Sequence, residues 1–212
     1  MATILLIRHG ENDYVKKRLL AGRLPEVHLN AAGRAQAAAL AEKLASAPLK
    51  AVYSSPLERT VETAGPIARA LNLEVILRPG LMEVDFGEWS GQKLKNLSRT
   101  KEWKIVQAAP SRMTFPEGES FLQAQQRVVT ELESLARLHA PEDLFACVSH
   151  SDVIKLALAY FIGLPLDMFQ RLHISPASIS ILQLGETGSR LLAMNYDPSM
   201  SFAQPEKPRK KS

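Results

Sequence analysis

The chain has 212 residues, 46% of them hydrophobic and 23% charged, with 26 Lys+Arg against 22 Asp+Glu and a formal net charge of +4. Those proportions belong to an ordinary folded domain and exclude extensive disorder, a collagen-like repeat or a low-complexity chain. A single cysteine, Cys147, excludes an intramolecular disulfide framework, and no run reaches the roughly 20 apolar residues needed to span a bilayer.

Thr3 to Ile7 is a short apolar run with β-branched residues and reads as a buried strand ending at Arg8-His9-Gly10. Ala35, Ala39, Leu40 and Leu44 recur at helical spacing and predict a helix over Ala31–Ala47, capped by Asn30 and stopped by Pro48. Lys50–Ser54 predicts a second strand. Pro56 opens a helix running to about Leu71, and Leu73–Leu77 predicts a third strand. Arg78 to Phe115 holds three glycines and both tryptophans, and reads as an insertion with one or two short helices over 93–108. Residues 116–120 turn into a long amphipathic helix ending near His139. Leu144–Ser149 is the fourth strand, stopping at His150, and a helix over Ser151–Ile162 follows, ended by Gly163 and Pro165. Ser178–Leu184 and Arg190–Asn195 flank a turn and predict an antiparallel hairpin.

Strand and helix alternate four times before the hairpin. That order predicts an α/β fold, a three-layer α/β/α sandwich with a mostly parallel central sheet and a helical insertion, about 84–115, over the active site. The sequence pI near 9.2 would suit a nucleic-acid partner, but the charge is unevenly placed. Residues 204–212 hold Lys207, Arg209, Lys210 and Lys211 against Glu206, and without them the chain has 22 basic and 21 acidic residues. We read 1–203 as one domain and 204–212 as a flexible basic tail, and expect neither nucleic acid nor a membrane as a partner. Met1 to Ile7 lacks the features of a signal peptide, which with the cysteine count makes the expected location cytoplasmic. The oligomeric state stays open, a homodimer included.

Ligands of open α/β sheets lie beyond the carboxyl ends of the strands. Applied here, that rule gathers Arg8 and His9 from the first strand, Arg59 from the helix after the second, Glu83 after the third and His150 after the fourth. Two guanidinium forks suit a phosphoryl group. A neutral histidine can attack phosphorus, and a carboxyl of raised pKa can protonate a leaving oxygen. The set suits transfer of a phosphoryl group to histidine and then to water.

Leu6-Ile7-Arg8-His9-Gly10-Glu11 resembles the Arg-His-Gly signature of the histidine phosphatase superfamily, the phosphoglycerate mutase-like proteins. The resemblance spans residues 3 to about 196. It continues through His28-Leu29-Asn30-Ala31-Ala32-Gly33 with Gln36, Ser54 to Thr60 with Thr63-Ala64, Glu83 to Gly91, Phe115 to Ser120, and Val148-Ser149-His150. It implies that His9 becomes the phosphohistidine, that Arg8, Arg59 and His150 hold the phosphoryl oxygens, and that Glu83 protonates the leaving alkoxide and then activates water. It implies a small phosphorylated substrate and no cofactor, a bisphosphate primer being needed only by a mutase; His9 and His150 lack the local spacing of a zinc site, so no metal is expected. Asn12 stands where the family often has Thr or Ser, and Ser151 where a glycine often follows the second histidine. Both, with Arg23 from the loop after the nucleophile, are candidate substrate-binding residues. Glu83-Val84-Asp85-Phe86 is acidic where the glycolytic mutases carry a basic residue, which favours hydrolysis; a phosphomutase remains the alternative, with a non-catalytic phospho-ligand binder behind it. Glu119 and Ser120 are read as caps of the long helix or supports at the pocket rim. Phe86 and Trp89 are read as packing or as a substrate wall.

Overall fold

Alternating side chains decide how the sheet is covered. In the computed structural model, which describes residues 1–186 and 188–197, strand β1 (Ala2–Arg8) sends Ile4 and Leu6 to one face and Leu5 and Ile7 to the other. The chain continues through α1 (Asp13–Lys17), α2 (Ala31–Leu44), β2 (Leu49–Ser54), α3 (Glu58–Ala70) and β3 (Val75–Leu77). Then come α4 (Leu94–Leu97), α5 (Lys101–Ala108), α6 (Phe121–Arg137), β4 (Leu144–Ser149), α7 (Ser151–Phe161) and the hairpin β5 (Ile179–Gly185) and β6 (Gly188–Tyr196). The tail expected over 204–212 lies outside the described residues. Among these residues, no helix is long and apolar enough to cross a membrane.

The sheet order is β3-β2-β4-β1-β5-β6. β3, β2, β4 and β1 are mutually parallel, and the hairpin adds to the β1 edge antiparallel. One face packs on α6 and α7 through Phe121, Val128, Leu132, Val153 and Ile154, with Phe145 and Cys147 of β4 beneath. The other packs on α2 and α3 through Leu40, Leu44, Ala64 and Ile67, over Val52, Ala146 and Val148. This is the three-layer arrangement that the alternation of elements predicts.

The local stops are chemical. The Asn30 side chain accepts from Gly33 N at 2.9 Å and caps α2. Ser120 and Gln123 form a reciprocal capping box on α6, so Ser120 is the cap and Glu119 is free for another task. Gly163, in the left-handed region at φ 70°, follows α7. The third strand is shorter than predicted: only Val75–Leu77 pairs, on the sheet edge, where Ile76 and Leu77 are exposed. An apolar run alone does not tell an edge strand from an inner one. Helix α1, inside the loop after the nucleophile, has too short an apolar pattern to be read from the sequence.

Gly10 and Gly33 lie where the loop leaving β1 crosses the first turn of α2. A Cβ on Gly33 would stand 2.0 Å from the Glu11 carbonyl oxygen, and one on Gly10 would stand 2.7 Å from the Gly33 carbonyl oxygen. Gly33→Ala is expected to cost about 3 kcal/mol, at the upper end of the cost of overpacking, because backbone and not a flexible side chain must yield. Thermal unfolding should show the loss. Turnover of the remaining folded protein should also fall, since the displaced loop carries His9.

Candidate active site

Parallel pairing of β1, β2 and β4 brings Arg8, Ser54 and Ser149, the last residues of these strands, to one edge of the sheet. His9 N donates to Ser149 O at 3.0 Å. The β5 end of the hairpin arrives at the same edge: Ala177 N donates to the carbonyls of Arg8 and His9 at 3.1 and 3.2 Å, and Arg8 Nη1 donates to Ile174 O at 2.6 Å. The His9 ring is buried. Its Nδ1 lies 2.7 Å from Gly10 O, which places the proton on Nδ1 and leaves the Nε2 lone pair free for attack. Burial, with Arg59 and Arg8 close by, pushes the His9 pKa well below the ordinary range. The imidazole is therefore neutral at pH 7, as a nucleophile must be.

His150 is fully buried, its ring centroid 5.3 Å from that of His9. Its Nε2 donates to Ser55 Oγ at 2.9 Å, and its Nδ1 accepts from Arg59 Nη2 at 3.3 Å. Burial and the charge of Arg59 hold its pKa well down too. A bound dianion opposes that effect and favours a proton on Nδ1, which then becomes a donor. Arg59 is the second residue of α3, where the Thr63 hydroxyl donates to its backbone carbonyl and accepts from Gly10 N. Glu83 Oε2 lies 3.9 Å from His150 Nδ1. Burial first, and then the carboxylate of Asp152, push the Glu83 pKa up to about 7, against the opposing pull of Arg59. A carboxyl so placed exchanges protons near neutrality.

The polar groups left without partners are decisive. Arg8 Nε, Asn12 Nδ2, Arg59 Nε and Arg59 Nη1 are buried donors with no hydrogen-bond partner. Buried donors are almost always satisfied. Four orphans on three residues around His9 describe a site built for a multi-oxygen anion. Arg8, His9, Asn12, Arg59, Glu83 and Ser151 all line one cavity of about 210 Å³. Phe86 also lines it while packing edge-on against Phe115, whereas Trp89 stacks on Trp103 and is not part of the lining.

Arg23 corrects the reading from sequence. It is not part of this lining. Its Nε donates to Glu83 O at 2.8 Å, Nη1 to Asp85 at 3.3 Å, and Nη2 to Glu119 Oε1 at 2.9 Å. Its fork is spent on holding the loop that carries Glu83. Arg127 of α6, which nothing in its local sequence marks out, does the same: it donates to the carbonyls of Gly80 and Met82 at 2.9 Å each and to Glu119 Oε1 at 2.6 Å. Glu119 joins the two arginines and accepts from Asp85 N at 2.9 Å. The cavity also takes Tyr14, Arg18 and Asp152, which the sequence reading left aside.

Comparison with known proteins agrees with this geometry. The pattern of the histidine phosphatase superfamily (branch 1) matches residues 4–197. Phosphoserine phosphatase 1 of Hydrogenobacter thermophilus is 30% identical over 197 residues, 92% of each chain. A probable phosphoglycerate mutase of Proteus mirabilis is 32% identical over 185 residues, 85% of this chain and 84% of its own. The structure of a putative α-ribazole-5′-P phosphatase of Escherichia coli superposes with a TM-score of 0.82 at 26% identity, over 92% of this chain and 96% of the other. With a buried histidine of free Nε2, orphaned arginine donors and a near-neutral carboxyl on one sheet edge, and with the family pattern running through nearly all the described residues, this chain belongs to the histidine phosphatase superfamily.

Proposed function

We propose that the protein is a phosphomonoester phosphatase acting on a small phosphorylated metabolite through a phosphohistidine on His9. The observation that carries the reading is the group of orphaned donors on Arg8, Asn12 and Arg59 beside the free Nε2 of His9. His9 Nε2 attacks phosphorus, and the ester P–O bond breaks. The leaving alkoxide takes the proton of Glu83. Water then attacks the phosphohistidine while Glu83 accepts one of its protons. Inorganic phosphate leaves, and neutral His9 and protonated Glu83 are restored. Arg8, Arg59 and the Asn12 amide hold the equatorial oxygens as charge redistributes, with His150 protonated as the dianion arrives. Ser151 adds a hydroxyl at the wall.

The size of the cavity supports a compact substrate. About 210 Å³ is below the roughly 300–1,000 Å³ of sites that take drug-sized ligands. The test is release of inorganic phosphate from a panel of sugar phosphates, phosphoglycerates, phosphoamino acids and nucleotides. Steady release from a small member is expected. The relative named a phosphoglycerate mutase gives the alternative its weight. Isomer exchange without phosphate release, dependent on a bisphosphate primer, would select that alternative, and binding without either reaction would select the non-catalytic one.

A further inference from the structure

We infer that Arg18 reads a second anionic group, a carboxylate, on the substrate, so that the preferred class is small phosphorylated carboxylic acids. This rests on the phosphatase reading above. Among the described residues, three cationic side chains line the cavity: Arg8, Arg59 and Arg18. The first two are buried beside His9 and face the negative field of Glu83. The other carboxylate of the lining, Asp152, is paired with Lys155 at 2.6 Å. Arg18 alone of the three is exposed at the rim, and its guanidinium has no hydrogen-bond or ion-pair partner among the described residues. Lys17 beside it is not part of the lining and pairs with Asp13 at 3.2 Å.

The backbone of Arg18 is nevertheless tightly held. It caps α1 in the left-handed conformation (φ 55°, ψ 47°), with its N–H on the carbonyls of Tyr14 and Val15. Its own carbonyl accepts from Leu94 N at 3.0 Å, and Leu20 N donates to Gln92 O at 2.9 Å. These bonds join the loop after His9 to the insertion, and Arg18, Leu20 and Leu94 all line the cavity. Glycine or asparagine is the favoured residue in such a cap; this chain places there a long cation that makes no contact of its own. The same lining carries the apolar side chains of Val15, Leu19, Leu20, Phe86 and Leu94. A lining that combines the unpartnered donors of Arg8 and Arg59, apolar walls and a third guanidinium suits a molecule with a phosphate, a short carbon skeleton and a carboxylate. The planar guanidinium fork suits a carboxylate bidentately.

Two matched pairs test the inference: phosphoserine against phosphoethanolamine, and 3-phosphoglycerate against glycerol 3-phosphate. Each pair differs at the carboxylate. The wild-type protein should favour the acid in kcat/KM. Arg18→Asn, which suits the left-handed backbone, and Arg18→Ala should both lower kcat/KM for the acids about 10- to 100-fold, the scale of a lost charge-assisted hydrogen bond. The change should fall mainly on KM, and the carboxylate-free esters should change less than about threefold. Arg18→Lys, lacking the fork, should be intermediate. Equal losses on both members of a pair would place Arg18 on the phosphoryl group and overturn the inference, as would a wild-type protein indifferent to the carboxylate or an unchanged ratio in the variants. If no ester in the panel is hydrolysed, the phosphatase reading fails separately. Calorimetric affinities of the same pairs for wild type and Arg18→Asn then decide, equal affinities overturning the inference and a selective loss on the acids upholding it.

Discussion

His9→Ala is expected to lower kcat by about 10⁴- to 10⁶-fold, the scale on which a covalent mechanism loses its nucleophile. The geometry makes the residue hard to replace. His9 Nδ1 is held by Gly10 O, so that the lone pair on Nε2 has one direction, and the other imidazole of the site has both nitrogens engaged, with Ser55 and Arg59. The variant leaves Gly10 O without its donor, at a cost of about 1 kcal/mol, so the folded protein should survive and thermal unfolding should confirm it. Acid quenching of wild type with a labelled phosphomonoester should trap label on His9. Phosphohistidine at another position in the variant would refute His9 as the nucleophile.

Glu83→Gln should separate proton delivery from phosphoryl binding. An amide keeps the shape but supplies no proton, and general acid catalysis is worth about 10²- to 10⁴-fold. That loss is expected for an alkyl phosphate, whose alkoxide must be protonated. A nitrophenyl ester, whose leaving group departs as the anion, should lose far less in the step that forms the phosphohistidine. With the Glu83 pKa near 7, kcat/KM of wild type for alkyl phosphates should fall as pH rises through 7, because the free enzyme loses its acid there; the variant should lack that limb.

The same carboxyl has a stability consequence. Its folded pKa lies above the ordinary 4.5, so between these values the folded state holds the proton more tightly than the unfolded one. Stability is full below about pH 4.5 and declines as pH rises through 7. In phosphate-free buffer Glu83→Gln should match wild type near pH 4 and exceed it by about 2–3 kcal/mol at pH 8. Chemical denaturation at the two pH values measures both. A variant less active and more stable would show that the site keeps its acid at the expense of the fold.

The groups to which we assign the chemistry were legible because each sits at or soon after a strand end. Arg8, His9, Arg59, Glu83 and His150 come together once the apolar runs are placed in one parallel sheet. What escaped depends on distant partners. Arg127 lies 44 residues from Glu83 in sequence and meets its backbone carbonyl only when α6 packs beside the loop. Arg23 looked available for substrate because nothing near it in the chain shows that Glu119, 96 residues on, takes its Nη2. The edge position of β3 was hidden for a similar reason: Leu73–Leu77 holds four apolar residues around Glu74, and its exposure follows from which strand lies outermost.

The arrival of residues 174–177 at the carboxyl end of β1 bears on synthesis. Arg8 is made long before its anchor: its guanidinium is held by a carbonyl 166 positions later. β1 itself lies between β4 and β5, so it stays unpaired until most of the chain has left the ribosome. At roughly 5–20 residues per second, that interval is on the order of ten seconds or more, during which the reactive histidine exists without its pocket. A nascent chain is thus unable to bind phosphoryl groups until residues 174–177 have been made.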